Sequence, residues 1–126
     1  MKKLSDSEFE IMKVLWSENG ALTSNQILDE VREKLDWKLA SLMTALARMA
    51  EKGYVYCDRS TRTNYYSAVV SEEQYKMEES ESFLERLYDK SPAKLVASLY
   101  HGSRLSGKEV KELREFLDSL EKEDKI

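Results

Sequence analysis

Four stretches of the chain open in one pattern: an apolar residue, a Ser or Thr, Glu or Gln three positions on, then another apolar residue. They are Leu4-Ser5…Glu8-Phe9, Leu22-Thr23…Gln26-Ile27, Val70-Ser71…Gln74-Tyr75 and Leu105-Ser106…Glu109-Val110. In each, the hydroxyl is placed to accept from the N3 amide while the N3 side chain reaches back to the N-cap amide. The flanking apolar pair closes as a staple. The pattern therefore predicts four helix starts. The first helix runs over about 5–17, with Phe9, Met12, Leu15 and Trp16 on one stripe and Asn19-Gly20 at its end. The second runs over about 23–35, with Ile27, Leu28, Val31 and Leu35 apolar.

A third stripe, Leu39, Leu42, Leu46 and Met49, is expected to face inward and to close at Gly53. After it, Tyr54-Val55-Tyr56-Cys57 and Tyr65-Tyr66-Ser67-Ala68-Val69 flank a polar turn at 58–63, which predicts a β-hairpin. From Ser71 the pattern is helical again over about 71–89. Ser91-Pro92 opens a further helix that Gly102 stops, and the last spans about 106–122. The fold class expected is mainly α with a small β-hairpin. A winged helix-turn-helix domain at 1–70 is followed by a three-helix region at 71–126.

Composition removes several classes. The 126 residues suit one domain, or a small domain with an appendage. No run approaches the ~18 apolar residues of a membrane span, and Met1-Lys2-Lys3-Leu4-Ser5 lacks the apolar core of a signal peptide, so a cytoplasmic protein without membrane contact is expected. One cysteine, Cys57, rules out an intrachain disulfide or a cysteine-based zinc cluster. One histidine, His101, argues against a His-dependent hydrolase and a two-His metal site. No paired nucleophile and base, phosphate loop or metal constellation is present, so no catalytic residue, metal or cofactor is assigned and the protein is not read as an enzyme. Cys57 reads as a packed thiol, His101 as a cation at a helix C-terminus, Trp16 and Trp37 as packing anchors. Glu72-Glu73 and Glu78-Glu79 read as helix-start and solvated carboxylates rather than a metal site.

Charge adds the first functional signal. The net charge is −4, which suits a nucleic-acid binder poorly. Divided along the chain, it is −3 over 1–37, +3 over 38–66 and −4 over 67–126. The basic window holds Lys38, Arg48, Lys52, Arg59 and Arg62 against Glu51 and Asp58. It coincides with the third helix and the hairpin. Three helices followed by a hairpin is the order of a winged helix-turn-helix, whose third helix enters the major groove and whose wing lies on phosphates. Ser41, Thr44 and Arg48, at i, i+3 and i+7, are expected opposite the apolar stripe, facing DNA with Ala40 and Met43. Lys38, Arg48, Arg59 and Arg62 would mostly neutralise phosphates.

The C-terminal helices are too short to bury much apolar surface alone. Their apolar positions, Phe83, Leu84, Leu87, Tyr88, Leu95, Val96, Leu99, Val110, Leu113, Phe116, Leu117 and Leu120, could fold back on the first 70 residues or pair with a second copy; since those 70 residues can close their own core, pairing into a homodimer is expected.

The chain also resembles the penicillinase-repressor family (BlaI/MecI/CopY). The residues that carry the likeness are Leu4-Ser5-Asp6-Ser7-Glu8-Phe9-Glu10-Ile11-Met12, Val14-Leu15-Trp16, Trp37, Thr44, Arg48, Glu51-Lys52-Gly53-Tyr54, Tyr65-Tyr66-Ser67 and Leu105-Ser106…Glu109…Leu113. The likeness implies homodimeric bacterial repressors that bind a palindromic double-stranded DNA operator, with DNA read by the N-terminal domain and dimerisation by the C-terminal helices. Three departures matter. Where members often carry two threonines, or a lysine and a threonine, this chain has Ala40 and Ser41, and Met43 stands where some place an arginine. Fewer base-reading groups imply a different operator, weaker binding, or more reliance on phosphates and thymine methyls. The cysteine-rich metal motif of the copper-responsive branch is lacking, so copper sensing by that route is not expected. In the β-lactam-responsive branch a sensor protease cuts the helix equivalent to 92–101; the aligned bond here is Ser98–Leu99, with Ser98 replacing an asparagine. Two readings stand beside the repressor: a winged-helix protein-interaction adaptor, suited by the apolar flank Ala40, Met43 and Ala47, and a ligand-responsive regulator with a pocket between the two regions.

Overall fold

The computed structural model describes residues 2–124. Its elements run α1 (Asp6–Glu18), α2 (Ser24–Val31), α3 (Leu39–Lys52), β1 (Val55–Asp58), β2 (Tyr65–Ala68), α4 (Glu72–Tyr88), α5 (Pro92–His101) and α6 (Gly107–Asp124). The chain divides into two compact units, Met1–Glu79 and Ser80–Ile126.

The predicted capping chemistry is built. Ser5 with Glu8 and Thr23 with Gln26 form full capping boxes, and Ser106 with Glu109 makes both reciprocal bonds at 3.0 and 3.2 Å. Ser71 accepts from the Gln74 amide, but Gln74 gives its side-chain NH₂ to Glu78 one turn further on, at 2.6 Å. Asn19 ends α1 in the left-handed region, and Gly53 ends α3 at φ 87°, where a side chain would be strained. At the end of α5 the left-handed residue is Ser103, φ 58°, rather than Gly102, φ −83°. The second helix is shorter than expected. It stops at Val31, whose carbonyl is shared by the amides of Lys34 and Leu35 in a tightened turn.

In the first unit, α1, α2 and α3 close around Ile11, Met12, Ile27, Leu42, Leu46 and Met49, all essentially without solvent contact. The β1–β2 hairpin is antiparallel, with Val55 opposite Ala68 and Cys57 opposite Tyr66. A third, one-residue rung joins it: Leu22 and Tyr66 exchange both backbone hydrogen bonds at 2.9 and 2.7 Å. The loop before α2 is thereby stitched to the hairpin. The start of α4 belongs to this unit as well. Tyr75 is buried against Phe9, Trp16 and Tyr54 with ring centroids 5.8–5.9 Å apart, and Trp16 Nε1 donates to the Val70 carbonyl at 2.8 Å. Leu39 does not face inward as the stripe predicts. It is 39% exposed; as the first residue of α3 it has no preceding turn to pack beside, and Ala45 takes the extra core place.

In the second unit, no described residue is buried. Leu84, Tyr88, Leu95, Val96, Val110 and Leu113 are half-buried. Phe83, Leu87, Leu99, Phe116, Leu117 and Leu120 are exposed. Ser98 and Leu99 lie within α5, and the Tyr88 hydroxyl donates to Ser98 Oγ at 3.1 Å.

Candidate nucleic-acid interface

The candidate interface is the outward side of α3 with the hairpin beside it. Leu42, Ala45, Leu46 and Met49 anchor α3 in the core, so the helix presents Ala40, Ser41, Met43, Thr44, Ala47 and Arg48, all exposed. This matches the face expected from the sequence. Its polar content is smaller than the list of residue types suggests. Thr44 Oγ1 donates to the Ala40 carbonyl at 3.0 Å, so its one proton is spent within the helix and the oxygen is left to accept. Ser41 and Arg48 are engaged by no other described side chain.

At the start of α3, Lys38 occupies the N-cap and makes no side-chain cap. A lysine offers no acceptor, so the Leu39 and Ala40 amides have no side-chain cap, while the Ser41 amide turns back to the Lys38 carbonyl at 3.1 Å. Two uncapped amides beside the Lys38 ammonium group suit a phosphate oxygen.

The hairpin tip is braced by its own side chains. Asp58 accepts from the Ser60 amide at 2.9 Å, and the Thr61 hydroxyl donates to the Thr63 carbonyl at 2.8 Å. The Ser60 hydroxyl and amide hold the Asp58 carboxyl below its ordinary pKa. Arg59 and Arg62 stand exposed on this turn. The neighbouring Cys57 side chain is the first cause that holds the Arg59 guanidinium pKa up. The hairpin reaches α3 through Tyr66, whose hydroxyl lies 4.0 Å from Met43 Sδ. Burial is the first cause that raises the Tyr66 pKa, ahead of its contact with Cys57, and the hydroxyl stays a proton donor.

One cation of the basic window is not part of the surface. Lys52 Nζ donates to Glu8 Oε1 at 2.6 Å and lies 3.5 Å from the Lys3 carbonyl; the side chains are 18% and 4% exposed. Glu8 Oε1 also accepts from the Ser5 amide at 2.8 Å, while Oε2 is buried with no hydrogen-bond partner among the described residues. Burial pushes the Glu8 pKa up. The hydrogen bond and charge of Lys52, with the Ser5 amide and hydroxyl, outweigh it and leave the carboxyl below its ordinary value. The ion pair locks the C-terminal end of α3 to the start of α1. The Tyr54 hydroxyl ties the following residues to the Lys2 carbonyl. Burial first, then the charges around it, push the Tyr54 pKa up to about 12. The positive surface is thus Lys38, Arg48, Arg59 and Arg62, one cation fewer than the sequence count.

Three helices, a hairpin and an exposed third helix with cations define a winged helix-turn-helix protein. The penicillinase repressor family model matches residues 4–119, and the chain belongs to that family of repressors. It is 31% identical over 121 residues to the penicillinase repressor of Bacillus licheniformis, covering 94% of each chain. It is 27% identical over 116 residues to the methicillin resistance regulatory protein MecI of Staphylococcus aureus, covering 92% of this chain and 94% of that one. Among solved structures, the DNA-binding domain of the repressor BlaI is 29% identical with a TM-score of 0.50, over 60% of this chain and 94% of that one. Monomeric BlaI of Bacillus licheniformis in complex with the blaP half-operator is 27% identical, also at 0.50, over 59% and 89%. No helix among the described residues is long and apolar enough to cross a membrane.

Proposed function

We propose that this protein is a cytoplasmic, homodimeric transcriptional repressor that binds a palindromic double-stranded DNA operator through α3 and the β1–β2 wing. The observation that carries the reading is the joint exposure of Ser41, Thr44 and Arg48 on α3 with Arg59 and Arg62 on the wing, in a unit folded like the BlaI DNA-binding domain. Ser41 and Thr44 face base edges; Lys38, Arg48, Arg59 and Arg62 take phosphates. Two such units, held by the exposed apolar faces of α4, α5 and α6, would meet successive major grooves about one or two helical turns apart.

The reading is tested by operator affinity measured over a salt series. Arg62→Ala weakens binding to every duplex and lowers the salt slope by about 1, whereas Thr44→Ala relaxes sequence preference. A chain that binds no duplex even at low salt is instead the adaptor, and its apolar α3 flank then meets protein.

Release by a sensor protease at Ser98–Leu99 belongs to the same reading. Both residues are exposed in the single chain, but the bond sits in a regular helix. Proteases take extended backbone, so α5 must open locally before cleavage. Intact-mass measurement after induction, finding only full-length chain, would count against it.

A further inference from the structure

The outward side of α3 carries two lanes. One is polar: Ser41, Thr44 and Arg48. The other is apolar: Leu39, Met43 and Ala47 at i, i+4 and i+8, with Ala40 alongside. Leu39 and Met43 are 39% and 38% exposed although the core beneath them is closed. Resting on the DNA-binding reading above, we propose that this apolar lane reads the 5-methyl groups of thymine in the major groove, with Met43 as the specificity-determining side chain.

Four observations carry this. First, Thr44 gives its proton to Ala40, so in the polar lane only Ser41 and Arg48 keep free donors. Second, cations bound the apolar lane, Lys38 at the N-cap of α3 and Arg48 near its far end, with Arg59 and Arg62 on the adjoining wing. That setting matches a polyanion. Third, the thymine methyl is the apolar group that the major groove displays. A duplex therefore satisfies the lane and its flanking charge together. Fourth, Met43 is steadied. Its sulfur lies 4.0 Å from the hydroxyl of Tyr66, which is buried and pinned by its backbone bonds to Leu22. A methionine so held adapts its shape to a methyl group while losing less freedom on binding.

The test uses the full chain. A duplex is selected from a random pool at fixed salt, and its thymines are then replaced singly by deoxyuridine, which keeps base pairing and removes only the methyl. Loss of affinity by about fourfold is expected at one or two positions, the worth of one buried methyl. Met43→Ala should bind the thymine and deoxyuridine duplexes equally at one of those positions, with an unchanged salt slope. Met43→Leu should restore discrimination. Circular-dichroism melting of each variant reports that the fold is kept. Deoxyuridine tolerated everywhere in a duplex that is still bound overturns the methyl reading and leaves DNA binding standing. So does an undiminished thymine preference in Met43→Ala. No duplex enriched even at low salt overturns both.

Discussion

The two units are built from the same kind of amphipathic helix and end in opposite states. In Met1–Glu79 the apolar faces meet one another: Ile11, Met12, Ile27, Leu42, Leu46 and Met49 are sealed, and Tyr54, Tyr66 and Tyr75 are buried at the margins. In Ser80–Ile126 the helices are as well capped, by Ser91 and by Ser106 with Glu109. Yet Phe83, Leu87, Leu99, Phe116, Leu117 and Leu120 remain in solvent. Good caps and good stripes specify helices but not a closed core. The difference is one of element number and length. Three helices, a hairpin and the first turns of α4 can surround a core. Two helices and the rest of α4 cannot.

The largest effect follows directly. A chain ending after Glu79 should unfold cooperatively and independently of its concentration, because its core lies within the piece. A peptide of residues 80–126 alone should show helicity that rises with concentration. Urea unfolding followed by circular dichroism at two concentrations checks both. A concentration-independent, cooperative 80–126 peptide would break the comparison.

Next in size is the ion pair that closes the first unit. Lys52→Ala leaves the buried Glu8 carboxylate without its cation and should cost about 3–5 kcal/mol. A Glu8→Gln, Lys52→Met double variant should recover most of that loss, since removing both charges also removes the desolvation cost. Chemical denaturation of the three chains decides it. If the single variant is near neutral, the charge is being met by water.

This pair also shows where reading the sequence ran out. The cap residues, the boundaries of α1 and α3, the turn at Gly53 and the hairpin are legible because each is local chemistry within a few residues. The outward α3 face is legible for the same reason, from helical spacing. Glu8 is legible only as a cap partner of Ser5. Its second partner, Lys52, lies 44 positions away, so Lys52 enters the charge count as a surface cation when it is an internal one. The Leu22–Tyr66 rung leaves no run of strand residues to find, because one residue pairs and its neighbours do not. Leu39 keeps the period of the core stripe, but period says nothing about a first-turn residue that overhangs the core edge. Nor does spacing reveal that Thr44 spends its proton on Ala40.

A smaller effect separates the units by partner. Leu117→Asp puts a charge on the exposed face of α6, where the homodimer reading places the second copy. Association should weaken by about 30-fold or more, the worth of one central interface residue. Met1–Glu79 should melt as before. Sedimentation velocity reads the first outcome and the near-ultraviolet signal of Trp16 and Trp37 the second. Unchanged association would place the dimer contact off α6 or remove it.

The smallest effect is one of pH. Glu8 in the first unit and Glu109 in the second both have pKa values below the ordinary 4.5. Glu8 is lowered because Lys52 and Ser5 overcome its burial, Glu109 because of the Ser106 amide and hydroxyl. A carboxyl whose pKa is lower folded than unfolded contributes stability that is fully present above its unfolded pKa. That contribution is lost as pH falls through the folded value. Both units should therefore hold their stability down to about pH 5 and lose some of it below pH 4.5. The loss should be larger in the first unit, where the carboxylate is buried and ion-paired, than in the second, where it is exposed and water replaces the cap. Urea midpoints between pH 7 and pH 3 should fall less steeply in Glu8→Gln than in the parent chain, starting from a lower value. Glu109→Gln should change the slope little. Equal slopes for parent and Glu8→Gln would mean that the Glu8–Lys52 pair carries no pH-dependent stability, and the closed unit would then owe its lock to packing alone.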